Sequence, residues 1–410
     1  MKQLFTIASC FATVATMLVS CGSNPRSSGD VVVISSENTK TYSDLGMIPD
    51  FVEDWDFIRL ETSEKSLLMD ARDCHIDDDL IFIKSTPTAT GGVYYGVIQQ
   101  EIKVFDKTGK YLYNIGSFGK GPQEYASMFF GGGWYLNRYE KYIDIYDNAG
   151  NRMVKYGYDG KFIEAIDVNG KLNSFSSLCF APDGNSFIYK PLGGQADEEI
   201  VLLDKEFNAI DTLASLGSRF EEHDVLNTPY IANCISYNRK EVLMTKYYCD
   251  TVFTYNNGEL YPAYYMDISR SIPDGFRFKP VYRNSNDLKD DLPNNFHDNA
   301  ISKIYDIEKY CIFNCGGNYI VWDKKERKGI RFGKNTEVST VPVPNIMWIS
   351  IDDDRLVVGI SALRLIEYKE RLAEEGIELT PKLRALFDGL AEDDNPVLIT
   401  YKLKSGGEMF

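Results

Sequence analysis

The stretch from Asn114 to Tyr125, NIGSFGKGPQEY, sets three glycines and a proline around Lys120, a composition that could cradle a phosphate. A phosphate-binding P-loop also needs Ser or Thr directly after its lysine, and a helix opening there so that backbone N–H groups converge on the anion. Here Gly121 and Pro122 follow Lys120, and the downstream run Gly131, Gly132 and Gly133 is disfavoured in a helix. The stretch therefore reads as a turn-rich link between strands, with Lys120 and Glu124 as candidate contacts on whichever face carries that link.

Other residues could support different chemistry. The three histidines are His75, in a predicted inner strand, and His223 and His297, in two long links that could converge with carboxylates on a divalent metal. That pair is the weak metal alternative; no cofactor is otherwise expected. A long segment from 270 to 303 carries Arg270, Arg277, Lys279 and Arg283 among Phe276, Phe278 and Tyr282. Guanidinium forks bind carboxylates, so an acidic glycan or peptide would fit, although Asp287, Asp290 and Asp291 offer partners within the same segment. The aspartate triplets at 77–79 and 352–354 have oxygens suited to calcium, but they occupy matching repeat positions and Asp is good turn chemistry.

These residues belong to a chain whose first twenty positions, with Lys2, an apolar run and no acid, have the layout of a secretory signal. Leu18-Val19-Ser20-Cys21 resembles the lipobox of bacterial lipoproteins, which implies cleavage before Cys21 and its lipidation. Residues 21–30 then read as a flexible polar tether. The formal net charge is −16, a surface that repels nucleic acid and anionic lipid. Cys74, Cys179, Cys234, Cys249, Cys311 and Cys315 are expected as buried thiols. Cys311 and Cys315 would lie about 13 Å apart on one strand, too far to bridge.

The remainder, 31–410, is written in short apolar runs broken by Asp, Asn and Gly, and one unit recurs. Its first hairpin appears as CHIDDDLIFIK from 74, WYLNRYEKYIDIYD from 134 and LCFAPDGNSFIYK from 178, then as CISYNRKEVLMTK from 234, IYDIEKYCIFNC from 304 and WISIDDDRLVVGI from 348. A second hairpin follows each, but the last runs out of chain after one strand. A matching orphan, DWDFIRLET at 54–62, precedes the first unit. Pairing the two ends leaves no open edge between the first and last sheets. The expected fold is an all-β, six-bladed propeller of four-stranded antiparallel blades, closed by its N- and C-terminal strands.

The pattern Phe105-Asp106, Gly109, Gly119-Lys120-Gly121-Pro122 and Glu124-Tyr125, with FIRLET at 57–62 and DDNPVLITYKL at 393–403, resembles the six-bladed propeller lipoproteins of Bacteroides-type bacteria, relatives of NHL-repeat proteins. The resemblance implies this fold and a lipid-anchored place in the cell envelope, with the outer membrane expected. It carries over no catalytic residue.

Residues 361–394 depart from the strand pattern. Leu365, Ile366 and Leu372, then Leu383, Leu386, Phe387 and Leu390, suit two amphipathic helices inserted in the last blade, with Gly376 ending the first and Thr380 and Pro381 opening the second. In such a blade the long links share one face and the tight turns the other. The long side gathers Tyr94, Tyr95, Lys120, Glu124, Arg219, Arg277 and Arg283 as candidate binding residues. The expected role is a non-catalytic binding module for a glycan, peptide or envelope protein, with no nucleic acid and no membrane contact beyond the lipid. The alternatives are a metal-dependent lyase or hydrolase acting on polysaccharide or peptide at the tunnel mouth, or a structural subunit of an outer-membrane complex using the 361–394 hairpin. Asp-Thr-Leu at 211–213 and Asp-Thr-Val at 250–252 look like short O-glycosylation acceptors.

Overall fold

The structure, a computed structural model, describes residues 31–41, 51–69, 71, 73–85, 100–126, 128, 133–172, 175, 177–190, 198–215, 235–237, 242–245, 249–267, 301–315, 318–332, 339–342 and 350–404. Three strands precede the repeats: β1 (Val32–Ile34), β2 (Thr39–Thr41) and β3 (Val52–Arg59). The first blade is β4 (Cys74–Asp77), β5 (Leu80–Ser85), β6 (Glu101–Asp106) and β7 (Tyr111–Ile115). The second is β8 (Trp134–Asn137), β9 (Tyr142–Asp147), β10 (Arg152–Gly157) and β11 (Phe162–Asp167). The third is β12 (Ser177–Phe180), β13 (Ser186–Tyr189), β14 (Glu198–Leu203) and β15 (Ala209–Ser215). The fourth is β16 (Ile235–Tyr237), β17 (Val242–Thr245), β18 (Thr251–Asn256) and β19 (Glu259–Met266). The fifth is β20 (Ile301–Asp306), β21 (Tyr310–Cys315), β22 (Asn318–Asp323) and β23 (Lys328–Phe332). The sixth joins β24 (Ser350–Asp352), β25 (Arg355–Ile360) and β26 (Val397–Leu403) to β3. The chain folds as a six-bladed β-propeller.

By compactness the chain divides into two units. One contains the first, second and sixth blades, the other the third and fourth, and the strands of the fifth are divided between them. Within the first blade β4 and β5 are buried at nearly every position, whereas β7 buries only Ile115. The inner strands are covered on both faces, so their apolar runs are nearly continuous rather than alternating. The aspartate found at the end of the third strand in the first, third and fifth blades has the same job in each. Asp106 Oδ1 accepts from the N–H groups of Thr108 and Lys110, at 2.8 and 3.1 Å, and Asp204 Oδ1 from those of Glu206 and Asn208, at 3.0 and 2.8 Å. Asp323 Oδ1 does the same for Lys325 and Glu326, at 2.9 and 2.8 Å. A carboxylate that organises its own turn explains why the repeat favours Asp there.

The expected closure is present. β26 pairs antiparallel with β3 from Val397 opposite Arg59 to Leu403 opposite Val52. Asn395, 2% exposed, fastens the start of β26 to the chain leaving β3. Its Oδ1 accepts from Leu68 N–H at 2.7 Å, and its Nδ2 donates to Glu61 O at 2.7 Å and Ser66 O at 2.9 Å. A buried amide so fully partnered fixes register as well as adding stability.

Two features modify the expected blades. The fourth and fifth sheets each have five strands, because β1 adds in parallel to β19 and β2 adds to β23. Three-residue strands are too short to show a period of two, and of the apolar residues of β1, Val32, Val33 and Ile34, only Ile34 is fully buried. The helical insertion forms as α1 (Ala362–Glu374) and α2 (Pro381–Phe387), capped by Ser361 and Thr380, with Gly376 at φ +68° ending α1. Of its stripe, Leu365, Leu372, Leu383, Leu386 and Phe387 are buried, Ile366 and Leu390 are partly buried, and Leu363 beside them on α1 is 46% exposed. Arg59 donates to the carbonyls of Leu386 and Asp388 at 2.7 and 2.6 Å, and Lys382 pairs with Asp54 at 2.8 Å, clasping the insertion to β3.

Among the described residues Cys74, Cys179, Cys249, Cys311 and Cys315 are buried thiols, in line with the expectation; Cys234 lies outside the described residues.

Candidate functional site

The β4–β5 hairpin turns at Asp78 and Asp79, so Asp73 and Lys84 meet at its open end, where Lys84 N–H donates to Asp73 O at 3.0 Å. At that end β5 finishes, at Ser85, and β6 begins, at Glu101. Lys84 Nζ lies 2.7 Å from Asp73 Oδ2, and the indole Nε1 of Trp134, the first residue of β8, donates to the same oxygen at 3.0 Å. The other carboxylate oxygen, Oδ1, is 3.9 Å from His75 Nε2, beyond hydrogen-bond reach. The His75 ring stands edge-on to Trp134 with centroids 4.9 Å apart. Trp134 is buried, whereas the side chains of Asp73 and His75 are each 35% exposed.

Burial disfavours the Asp73 charge, but Lys84, His75 and the hydrogen bonds from Lys84 and Trp134 outweigh it, and the carboxyl is held below its ordinary value. Burial pushes the His75 imidazole down to about 4, ahead of the opposing pull of Asp73, so the ring is neutral at pH 7. The Tyr135 hydroxyl is pushed upward by burial and then by Asp73. The site therefore presents one carboxylate matched by one ammonium, an uncharged imidazole and a buried indole.

Sequence reasoning did not single out Asp73, Lys84 or Trp134. The available signal was symmetry: Asp73 and Lys84 lie equally far from the tight turn, so the hairpin must bring them together.

The loop of Lys120 and Glu124 is built inward. Glu124 Oε2 accepts from Gly121 N–H at 2.8 Å, and a Cβ at Gly119 would meet that carboxylate oxygen at 2.0 Å, which is why glycine stands there. Arg152 of β10 donates to the carbonyls of Gly121 and Glu124 at 3.1 and 2.7 Å while its Nε binds Asp147 at 3.0 Å. Tyr156 donates to Gln123 O at 2.7 Å. Lys120 is exposed beside this clamp, and Glu124 is an internal cap. The other sequence-derived candidates, Cys21, Tyr94, Tyr95, Arg219, His223, Arg277, Arg283 and His297, lie outside the described residues.

On the tight-turn side the aspartate triplets find cations of the protein itself. Asp77 accepts from Lys141 Nζ at 2.7 Å and Tyr158 OH at 2.8 Å, and Asp352 from Lys107 Nζ at 2.9 Å. The middle residues Asp78 and Asp353 adopt φ +51° and +50°, a turn conformation that Asp tolerates. Among the described residues no group of three or more His, Cys, Asp or Glu side chains could hold a metal, and no helix is long and apolar enough to cross a membrane.

A six-bladed chain with this closure has relatives. Residues 31–402 match the family described as Domain of unknown function (DUF4934). The chain belongs to this family. No curated protein matches this DUF4934 chain. Among solved structures, an exported-protein candidate of Bacteroides fragilis NCTC 9343 is similar with a TM-score of 0.62 at 16% identity, covering 92% of this chain and 100% of that one. A member of the DUF4221 family from Bacteroides vulgatus is similar with a TM-score of 0.45 at 11% identity, covering 86% of this chain and 97% of that one. At such identities the likeness is one of fold.

Proposed function

We propose that this chain is a lipid-anchored envelope propeller, carried on acylated Cys21, whose long-link face binds a glycan, peptide or protein partner without chemistry. The observation that carries the reading is the Asp73–His75–Lys84–Trp134 cluster. It lies at the inner-strand end of that face and is half-open to solvent, and its polar groups are oriented by one another. The carboxylate already carries two donors, from Lys84 and Trp134, which organises the cluster for contact. The lipobox-like Leu18-Val19-Ser20-Cys21 supports the anchor, as does the exported character given to the Bacteroides fragilis relative.

The test is a thermal-shift screen of the chain lacking residues 1–20, with Cys21→Ser, against neutral and acidic glycans, peptides, divalent metals and EDTA. A ligand that binds only the folded state raises Tm with its concentration. A saturable shift with a glycan or peptide and no turnover of it supports the reading. Destabilisation by EDTA reversed by one metal, or cleavage of the bound ligand, overturns it in favour of an enzyme. Metabolic labelling with palmitate, lost in Cys21→Ser, tests the anchor separately.

A further inference from the structure

Three groups in the cluster are already committed: Lys84 Nζ and Trp134 Nε1 both go to Asp73 Oδ2, at 2.7 and 3.0 Å. Two are not. Asp73 Oδ1 is an acceptor, and His75 Nε2, which faces that carboxylate oxygen, is assigned the imidazole proton and so acts as a donor; they stand 3.9 Å apart, each on a side chain 35% exposed. An oxygen placed at about 2.8 Å from both would close that gap. To satisfy both it must donate one hydrogen bond and accept another. A hydroxyl does this; an ionised carboxylate or a phosphodiester cannot donate to Asp73, and an ammonium cannot accept from His75.

Charge narrows the ligand further. Lys84 already neutralises Asp73, and the imidazole is uncharged at neutral pH because burial depresses its basicity. Arg138 adds a positive charge that weighs on the imidazole from further off, but the group a ligand must touch is the Asp73 carboxylate, which repels an anion and, already paired with Lys84, gives a cation little to repay its desolvation. The His75 side chain, its ring edge-on to Trp134, is 35% exposed.

We propose that Asp73 and His75, held in place by Lys84 and Trp134, recognise a hydroxyl of an uncharged saccharide. The inference rests on the binding role proposed for this face and selects neutral glycan from among its ligand classes. Asp73 and His75 are the contact residues; Lys84 and Trp134 are positioning residues.

Isothermal titration of the same Cys21→Ser chain with a panel of neutral mono- and oligosaccharides built from glucose, galactose, mannose and N-acetylglucosamine tests it. One hexose of the panel should bind saturably. His75→Phe keeps a ring against Trp134 and removes the donor, so affinity should fall about tenfold, the worth of one hydrogen bond. Asp73→Asn should lower it about tenfold or more, since the lost bond is charge-assisted. If Asp73→Asn fails to fold, His75→Phe decides alone, its integrity checked by near-UV circular dichroism. Wild-type affinity should be level from pH 8 to pH 5.5, because a neutral ring stays neutral there, and a loss centred near 6.5 would overturn the arrangement. Saccharide binding untouched by both variants overturns the inference and leaves the wider binding role standing. No saturable binding by any sugar of the panel also overturns it, and the peptide arm of the thermal screen then judges the wider role independently.

Discussion

Replacing Asp144 by asparagine probes a carboxylate that the second blade holds in its charged form at a disadvantage. Asp144 lies on β9, opposite Tyr135 of β8 and Lys155 of β10, is fully buried, and neither of its oxygens has a hydrogen-bond partner. Lys155 could neutralise it but is committed elsewhere, 2.7 Å from Glu164 on β11 and over the Tyr142 ring at 4.6 Å. Burial, against the pull of Lys155 and with the help of Glu164 and Glu140, pushes the Asp144 carboxyl up to about 7 from an ordinary 3.8. A carboxyl raised in the folded state binds its proton more tightly there than in the unfolded chain, so the folded protein loses stability as pH rises from 3.8 to 7 and levels off above. At about 1.4 kcal/mol per tenfold, the penalty is roughly 2 kcal/mol at pH 5 and roughly 4 kcal/mol above pH 7. Asparagine does not titrate. The stability difference between Asp144→Asn and wild type should therefore widen by roughly 2–3 kcal/mol from pH 5 to pH 8, whatever the fixed cost of the amide. Urea unfolding followed by tryptophan fluorescence across that range measures it. A difference that stays level with pH would refute the reasoning, since a carboxylate with an ordinary pKa is ionised throughout.

Other perturbations test the seam and the site. Asn395→Ala strips the donors and acceptor from Leu68, Glu61 and Ser66 in a buried setting and should destabilise the chain by about 3 kcal/mol in urea unfolding, against little change for exposed Lys120→Ala. Gly109 sits at φ +86°, and an added Cβ would meet the Arg59 carbonyl oxygen at 1.9 Å, so Gly109→Ala should cost more than about 2 kcal/mol. Gly170→Ala, at φ +74° with open space around it, should cost about 1 kcal/mol. The His75 imidazole should show no NMR titration between pH 8 and 5.5; since its folded pKa is depressed, whatever it adds to stability is lost as pH falls below 6.5 towards 4. If either Asp-Thr motif carries a glycan, peptide mapping by mass spectrometry should find it on Thr212, exposed on β15, and not on Thr251, which is 3% exposed.

The sequence by itself determined the repeat, the blade count, the closing pair of strands and the helical insertion. Each depends on local rules: turn chemistry at Asp106, Asp204 and Asp323, near-continuous burial of inner strands, and caps at Ser361, Thr380 and Gly376. Composition also picked out the Gly119–Tyr125 loop, but not what its residues do. Glu124 faces its own backbone because Arg152 and Tyr156, about thirty residues later, fix the loop from the next blade. Hairpin symmetry is enough to pair Asp73 with Lys84, but only tertiary structure could bring Trp134 to them, since it lies sixty-one positions from Asp73 and the indole hydrogen bond that joins them has no period or motif. It alone decided, too, that Asp144 is stranded, because a strand reading cannot tell whether the lysine opposite will reach across to the carboxylate or outward to Glu164. Periodicity reports which face of an element is covered; the partner of each polar atom depends on distances between elements, and those exist only in the folded chain.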